Sequence, residues 1–399
     1  MNYLPRKIVV EEKGSDTPLG FVVIDSTIAG RAQGGLRMAP DVSLDELEKL
    51  ARAMTLKYGF LGLPQGGAKA GVLGDPESGA EARRATLHRF AKAMGPLLER
   101  KEYVPYSDMG TSDAEIRRML ESVGLPVPRR QYRGNASGEY TAGTVFEAAR
   151  AAAAVRGLNL ASCRVAIEGF GEVGRPLAGM FVRAGARVVA ISTSFGGVYD
   201  PRGLDIARLH VMAQQMGGSV VQKYDGCERL EKSRLKEIPA EIFCPCARHD
   251  SVQKSDVARM PAGILSCGAN SPVTPEAERL MWSRGIVCVP DFVANCGGVL
   301  GGTMDFCGWR PKEIFALLEG RFRCAVEGLI RSALETGTPL REMAEDMALM
   351  RFHEVKRATE HPSPAGRCFS VGTTLYRAAW IPAWLVCRLS KSYFNDRIP

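Results

Sequence analysis

The segment Gly169-Phe170-Gly171-Glu172-Val173-Gly174 constrains the fold more than any other stretch of this chain. It follows the apolar run Arg164-Val165-Ala166-Ile167-Glu168 and opens a helical pattern through Leu177, Met180 and Phe181. Glycines at this spacing are common in turns, and it is the strand–turn–helix setting that gives them meaning. The first permits a tight turn, the second lets the backbone approach a pyrophosphate, and the third lets helix and strand pack closely. The helix start then offers unpaired N–H groups to phosphate oxygens. The motif implies a Rossmann-type dinucleotide site with Gly169, Gly171, Glu172, Val173 and Gly174 at the phosphates. The ribose position falls after the next apolar run, Val188-Val189-Ala190-Ile191, where an acid would favour NAD. This chain has Ser192-Thr193-Ser194 there, with Arg202 close by, so Thr193 is the candidate contact and either NAD or NADP is expected.

The rest of the chain supports an α/β protein of two domains, since 399 residues exceed one ordinary core. From Cys163 to about Cys307, strands and helices alternate, including Ile264-Leu265 and Ile286-Val287-Cys288-Val289, which predicts a parallel sheet covered on both faces. Earlier, Phe21-Val22-Val23-Ile24 reads as a strand, and Asp41 to Glu46 as the cap and first turn of a helix through Leu47, Leu50 and Met54. Val145 to Arg156 reads as an Ala-rich helix, and the polar stretch Arg129 to Gly138 as the junction. The expected divisions are a substrate and oligomerisation domain over 1–135, a Rossmann domain over 140–325, and a C-terminal helical segment and tail over 326–399. In the tail, Leu375 to Leu389 is apolar, with Trp380 and Trp384 four apart and Pro382 interrupting, which suggests packing on the body or on a partner subunit.

Composition narrows the function classes. The net charge of +8 is spread along the chain without the clustered basic face and interleaved aromatics of a nucleic-acid binder. No run is apolar enough to span a bilayer, and the N-terminal stretch lacks the apolar core of a signal peptide, so a cytoplasmic protein is expected. Eleven cysteines then read as reduced thiols. Cys244-Pro245-Cys246 has the wrong spacing for a zinc hook and the five histidines do not cluster, so no metal is expected.

Leu63-Pro64-Gln65-Gly66-Gly67-Ala68-Lys69-Ala70-Gly71 is the second concentration of information. A lysine among glycines resembles a phosphate loop, but Ala70 stands where a Ser or Thr would hold magnesium. Lys57 lies twelve residues earlier, and Gly34-Gly35-Leu36-Arg37 earlier still. A buried lysine beside another cation has a lowered pKa and can serve as an acid–base catalyst near neutral pH.

These segments carry a resemblance. The order Met54-Thr55-Leu56-Lys57, Gly66-Gly67-Ala68-Lys69, Ser107-Asp108-Met109-Gly110-Thr111 and Thr141-Ala142 is similar to that of the Glu/Leu/Phe/Val amino-acid dehydrogenase family. It continues through Gly169 to Gly174, Pro245-Cys246-Ala247, Gly268-Ala269-Asn270 and Pro290 to Val299, covering roughly residues 20–350. The resemblance implies an active site in the cleft between two domains and a homo-oligomer. It implies that Lys57 holds the substrate α-carboxylate, Lys69 polarises the carbonyl and activates water, and Asp108 shuttles protons. Gly35 would lie at the substrate, while Thr141, Asn270 and Asn295 would orient the nicotinamide end and the substrate, and Ala247 would lie along the cofactor. The implied reaction is NAD(P)-dependent oxidative deamination of an L-amino acid to a 2-oxo acid and ammonia.

Three departures concern the side-chain pocket. Glutamate-specific members carry a lysine where this chain has Gln33, and a serine where it has Gly302. The residue two before the aspartate is usually small, but here it is Tyr106. These changes remove groups that would fix a γ-carboxylate, so a neutral apolar or aromatic amino acid is expected, closer to the Leu/Phe/Val type. The alternatives are a catalytically inactive nucleotide-binding relative acting as regulator or partner, and a dehydrogenase of an N-methyl or specialised amino acid.

Overall fold

The computed structural model describes residues 4–12, 14, 17–128, 130–131 and 136–398. Half of the expected junction, residues 129 and 132–135, lies outside the described residues. The chain divides into two compact units: 1–135 with 306–308 and 347–397, and 136–305 with 309–346 and 398–399. Residues 326–399, expected as one segment, are thus shared between the units, with the division falling inside the long helix Leu340–Glu360.

The first unit is built on a five-stranded mixed sheet. Its strands are β1 (Arg6–Glu11), β2 (Pro18–Ile24), β3 (Ala32–Ala39), β4 (Gly66–Leu73) and β5 (Tyr103–Ser107), in the order β1-β2-β4-β3-β5. β3 runs parallel to β4 and β5, while β2 is antiparallel to β1 and β4. Helix α1 (Leu44–Phe60) starts at Ser43, whose hydroxyl accepts from the Glu46 N–H. Helices α2 (Ala80–Ala93), α3 (Gly95–Glu99) and α4 (Asp113–Ser122) complete the N-terminal part. Val22, Leu36, Val72, Phe90 and Ile116 belong to one fully buried cluster. The C-terminal helices Pro364–Arg377 and Ala383–Arg397 break around Pro382. The tail is anchored by buried Tyr376 and Phe394 and by the Arg397 guanidinium, which donates to Gly62 O at 2.8 Å. On this chain the body takes Tyr376 and Phe394 but not Trp380 and Trp384, which stand 80% and 67% exposed.

The second unit has a seven-stranded sheet: β6 (Arg164–Glu168), β7 (Arg187–Thr193), β8 (Gly196–Tyr199), β9 (Glu228–Leu230), β10 (Ile242–Pro245), β11 (Ile264–Ser266) and β12 (Val287–Val289). The order is β12-β11-β10-β6-β7-β8-β9. It is parallel from β12 to β7, whereas β8 and β9 pair antiparallel at the edge, which the expectation of a purely parallel sheet missed. Helix α5 (Ser137–Val155) begins eight residues before the predicted Val145. Its first turns are rich in Gly, Ser and Thr, but Tyr140, Ala142 and Thr144 are buried there, and packing overrides weak propensity. Helix α6 (Gly174–Arg183) follows the glycine turn. No helix among the described residues is long and apolar enough to cross a membrane.

Candidate active site

In the first unit, side chains alternate along β3, so Gln33, Gly35 and Arg37 share one face of the sheet. The register sets Gln33 beside Gly67 of β4 and Val104 of β5, and Gly35 beside Tyr106. Gly35 leaves a gap between β4 and β5, and Lys69 and Asp108 meet over it. Lys69 Nζ lies 2.8 Å from Asp108 Oδ2. A Cβ on residue 35 would stand 2.7 Å from the Asp108 Cβ and 3.2 Å from Lys69 Nζ. α1 packs on the same strands: a Cβ on Gly67 would lie 2.3 Å from the Thr55 N. Gly66-Gly67-Ala68-Lys69 therefore belongs to a strand that a helix approaches closely, and the phosphate-loop reading falls away. Lys57, in the last turn of α1, is 6% exposed.

Asp108 is a turn residue whose N–H donates to Thr111 Oγ1, while Ser112 is the cap of α4. Its carboxylate also accepts from Arg37 Nε at 3.2 Å, and Arg37 continues to the Glu46 carboxylate. Burial pushes the Asp108 carboxyl upward, but Lys69 and Arg37 outweigh it and hold the group down at about 2. Burial drives the Lys69 amine below its usual range, with Arg37 adding to the fall and Asp108 and Glu46 opposing it. The pair thus couples a carboxylate held down by its cations to an amine that burial makes less basic. Half-buried Tyr106 accepts from Gln131 Nε2 at 3.4 Å. Burial raises its phenol pKa, and the Arg377 guanidinium opposes that rise. The sequence places Arg37 upstream of the lysine loop, two residues beyond Gly35 on the same strand face, but does not reveal its contacts to Asp108 and Glu46.

The second unit carries the glycine turn. Gly169 has φ +93, a conformation that glycine tolerates, and a Cβ on Gly174 would lie 1.8 Å from Gly169 O. A Cβ on Gly171 would meet nothing within 4 Å, so the open approach to the backbone is at the middle glycine. α6 has no side-chain cap; the Arg175 N–H turns back to Gly171 O at 3.0 Å and Pro176 carries no N–H. Glu172 is exposed and Val173 half-buried beside this turn, and Ala247 packs against Gly169.

Asn295, 5% exposed, donates to Ala269 O at 2.8 Å and to Asn270 Oδ1 at 3.2 Å, while its own Oδ1 is buried without a partner. A buried acceptor in that state suits an amide N–H donor such as a nicotinamide carboxamide. These residues fit a dinucleotide. The Thr193 hydroxyl donates to Gly218 O and accepts from Phe195 N–H, so it shapes the loop at the end of β7. Arg202, considered for a 2′-phosphate, is paired with Asp200 at 2.9 Å. Thr141 donates to Ser137 O within α5, and Gly302 is half-buried in the helix Gly297–Phe306. Glu168, unremarked in the sequence, is buried beside the turn and accepts from the Ser251 hydroxyl at 2.6 Å.

Gln33, Gly35, Lys57, Lys69, Tyr106 and Asp108 therefore fall in the first unit, and the cofactor candidates, Asn295 and Gly302 in the second. Family models match both parts. Residues 6–124 match the Glu/Leu/Phe/Val dehydrogenase dimerisation domain, and 135–361 match Glutamate/Leucine/Phenylalanine/Valine dehydrogenase. The chain is 31% identical over 338 residues to glutamate dehydrogenase of Thermotoga maritima, covering 81% of this chain and 80% of that one. It is 28% identical to the NAD-specific glutamate dehydrogenase of Staphylococcus aureus strain COL over 85% of each. Among solved structures, the hetero-hexameric glutamate dehydrogenase of Thermus thermophilus in a Leu-bound form superposes with a TM-score of 0.75 at 26% identity, covering 89% of each chain. The chain belongs to the Glu/Leu/Phe/Val dehydrogenase family, and is an NAD(P)-dependent amino-acid dehydrogenase.

Proposed function

We propose that Lys69 and Asp108 are the acid–base pair of a reversible oxidative deamination, and that Lys57 holds the substrate α-carboxylate. The observation that carries this reading is the Lys69–Asp108 contact across the gap at Gly35. NAD(P)+, when bound, would supply the acceptor for the hydride that leaves Cα of the amino acid. Asp108, ionised at any working pH, takes a proton from the substrate ammonium so that the nitrogen lone pair can assist hydride departure. Lys69, with its lowered proton affinity, removes a proton from the water that adds to the resulting iminium carbon. Asp108 then returns its proton to the carbinolamine nitrogen, which leaves as ammonia while the hydroxyl gives its proton to solvent and becomes the carbonyl of the 2-oxo acid; the Lys69 ammonium stabilises partial negative charge on that oxygen. In the second unit, Gly171 and the start of α6 hold the pyrophosphate, and Asn295, with Asn270 and Thr141 near it in sequence role, orients the nicotinamide amide.

For the side chain, a neutral substrate is supported by Gln33, an amide on the reacting face, and by the Tyr106 ring beside Gly35. Glutamate is the second reading. It is favoured by Arg377, whose positive charge acts on the Tyr106 phenol, and by the names of the relatives. The oligomer is assigned to self-association through the N-terminal region, as the description of its family model suggests. Reductive amination with ammonia, NADH or NADPH and a panel of branched, aromatic and acidic 2-oxo acids tests these assignments. Preference for a branched or aromatic acid supports the neutral reading, and preference for 2-oxoglutarate replaces it with the second. No turnover on any acid, with cofactor still bound, refutes the catalytic reading.

A further inference from the structure

Asp108 is held by two cations of different kinds. Lys69 can lose its proton, whereas the guanidinium of Arg37 stays charged at every pH the fold survives. Both reach the same atom, Oδ2, at 2.8 and 3.2 Å. Arg37 is 7% exposed, and its far side is closed by Glu46, whose side chain is 12% exposed. Glu46 sits in the first turn of α1, so strand and helix converge on one charge pair. A buried ion pair on a surface that also carries the reacting groups is costly to assemble, and apolar packing there would be at least as stable.

The reaction cycle supplies a reason for it. When Lys69 is neutral and ready to take a proton from water, Asp108 loses its nearest positive charge. Without a second cation, a carboxylate so little exposed would take up a proton or turn toward solvent. A lone guanidinium in that place would hold the carboxylate but would also repel the protonated Lys69 and compete with Lys57 for the substrate carboxylate. An anion behind it removes both effects.

We propose that Arg37, backed by Glu46, is a positioning residue for the acid–base pair: it anchors the Asp108 carboxylate while Lys69 is neutral, and Glu46 balances the charge that Lys69 feels. The inference rests on the assignment of Lys69 and Asp108 as the acid–base pair. Neither Arg37 nor Glu46 touches the reacting atoms in this account. α1 also carries Asp45, Glu48, Lys49, Arg52, Lys57 and Tyr58, and β5 carries Tyr103 and Tyr106.

The signs of the two charges make the inference testable. Arg37 disfavours the protonated form of Lys69, and Glu46 favours it. Arg37→Gln therefore moves the rising limb of the kcat/KM–pH profile for deamination to higher pH, and Glu46→Gln moves it to lower pH. The double variant returns the limb toward its original place. Arg37→Gln also lowers kcat by roughly 10- to 100-fold, the usual consequence of a misplaced catalytic group. Because Arg37→Gln removes the guanidinium that faces Glu46, it is the variant at risk of not folding; Glu46→Gln and the double variant then carry the test. Profiles are measured with L-leucine, L-phenylalanine and L-glutamate, each with NAD+ and NADP+.

A purely structural role would lower activity in both single variants without moving the limb in opposite directions. Limbs that stay in place, or move the same way, overturn the inference while leaving the acid–base pair intact. Failure of the unsubstituted protein to turn over any of the three amino acids, or turnover that survives Lys69→Ala, overturns the acid–base assignment and this inference with it.

Discussion

Replacing Gly35 with alanine adds a single methyl group at the point where the acid–base pair meets. In the present backbone that carbon would stand 2.7 Å from the Asp108 Cβ, 3.2 Å from its Cγ and 3.2 Å from Lys69 Nζ. Carbon atoms at van der Waals contact are about 3.5–4.0 Å apart, so Asp108 must retreat by close to an ångström. Overpacking of this kind costs about 1–3 kcal/mol of stability. Its effect on rate is larger, because a displacement of about 1 Å in a catalytic group can cost about 100-fold. Gly35→Ala is therefore expected to lower kcat/KM by roughly 10- to 100-fold while the melting temperature falls by only a few degrees. Gly79→Ala is the control: its added carbon meets nothing within 4 Å and lies away from the cluster. The assay is steady-state turnover of both variants alongside thermal unfolding. Unchanged turnover in Gly35→Ala would refute the argument that the gap at residue 35 exists to seat Lys69 against Asp108.

Three other outcomes follow from the geometry. Gly171→Ala introduces no clash, so unfolding should stay within about 0.5 kcal/mol of the parent. Its KM for NAD(P) should rise at least about tenfold, because the methyl group occupies the path of the pyrophosphate; a change in stability with no change in cofactor affinity would contradict it. Asn295→Leu removes the orphaned acceptor, and is expected to weaken cofactor binding by about 1–3 kcal/mol in calorimetric titration, while Asn295→Gln disturbs it less. The third concerns pH. The folded Asp108 pKa of about 2 lies below its unfolded value, so its contribution, about 2 kcal/mol at most, is present above pH ~4 and lost as pH falls toward ~2. Denaturant titrations at pH 6 and pH 3 should therefore show a smaller acid-induced loss in Asp108→Asn than in the parent.

Much of the site was legible in the sequence because its signals are local. The glycine turn at 169–174 is specified by chemistry within six residues, and the strand before it and helix after it formed as read. Lys69 and Asp108 could be marked from the family resemblance, but their meeting could not. It depends on β3 lying between β4 and β5, so that Gly35 of one strand opens space for side chains of two others. The pairing of Arg37 with Glu46 and Asp108 was not legible for the same reason: Arg37 stands out only as a cation upstream of the lysine loop, and Glu46 only as a first-turn acid, until strand and helix bring them together. The glycines of 66–67 resemble a phosphate cradle, which Ala70 already argues against; in the fold Gly67 admits the backbone of α1 and Gly66 that of residues 26–31. The early start of α5 and the antiparallel edge strands β8 and β9 were decided by packing rather than by propensity. Trp380 and Trp384, four apart in the sequence, do not share a helix: Trp380 lies before Pro382 and only Trp384 is within Ala383–Arg397.

The account depends most on Lys69. The decisive measurement is cofactor reduction by the unsubstituted protein and by Lys69→Ala, each with its preferred amino acid, with cofactor binding followed separately by fluorescence. The prediction is turnover in the first, a loss of at least about 1,000-fold in the second, and cofactor affinity unchanged within a factor of about two. Turnover retained in Lys69→Ala, with the fold and cofactor binding intact, would contradict the assignment of Lys69 and Asp108 as the acid–base pair.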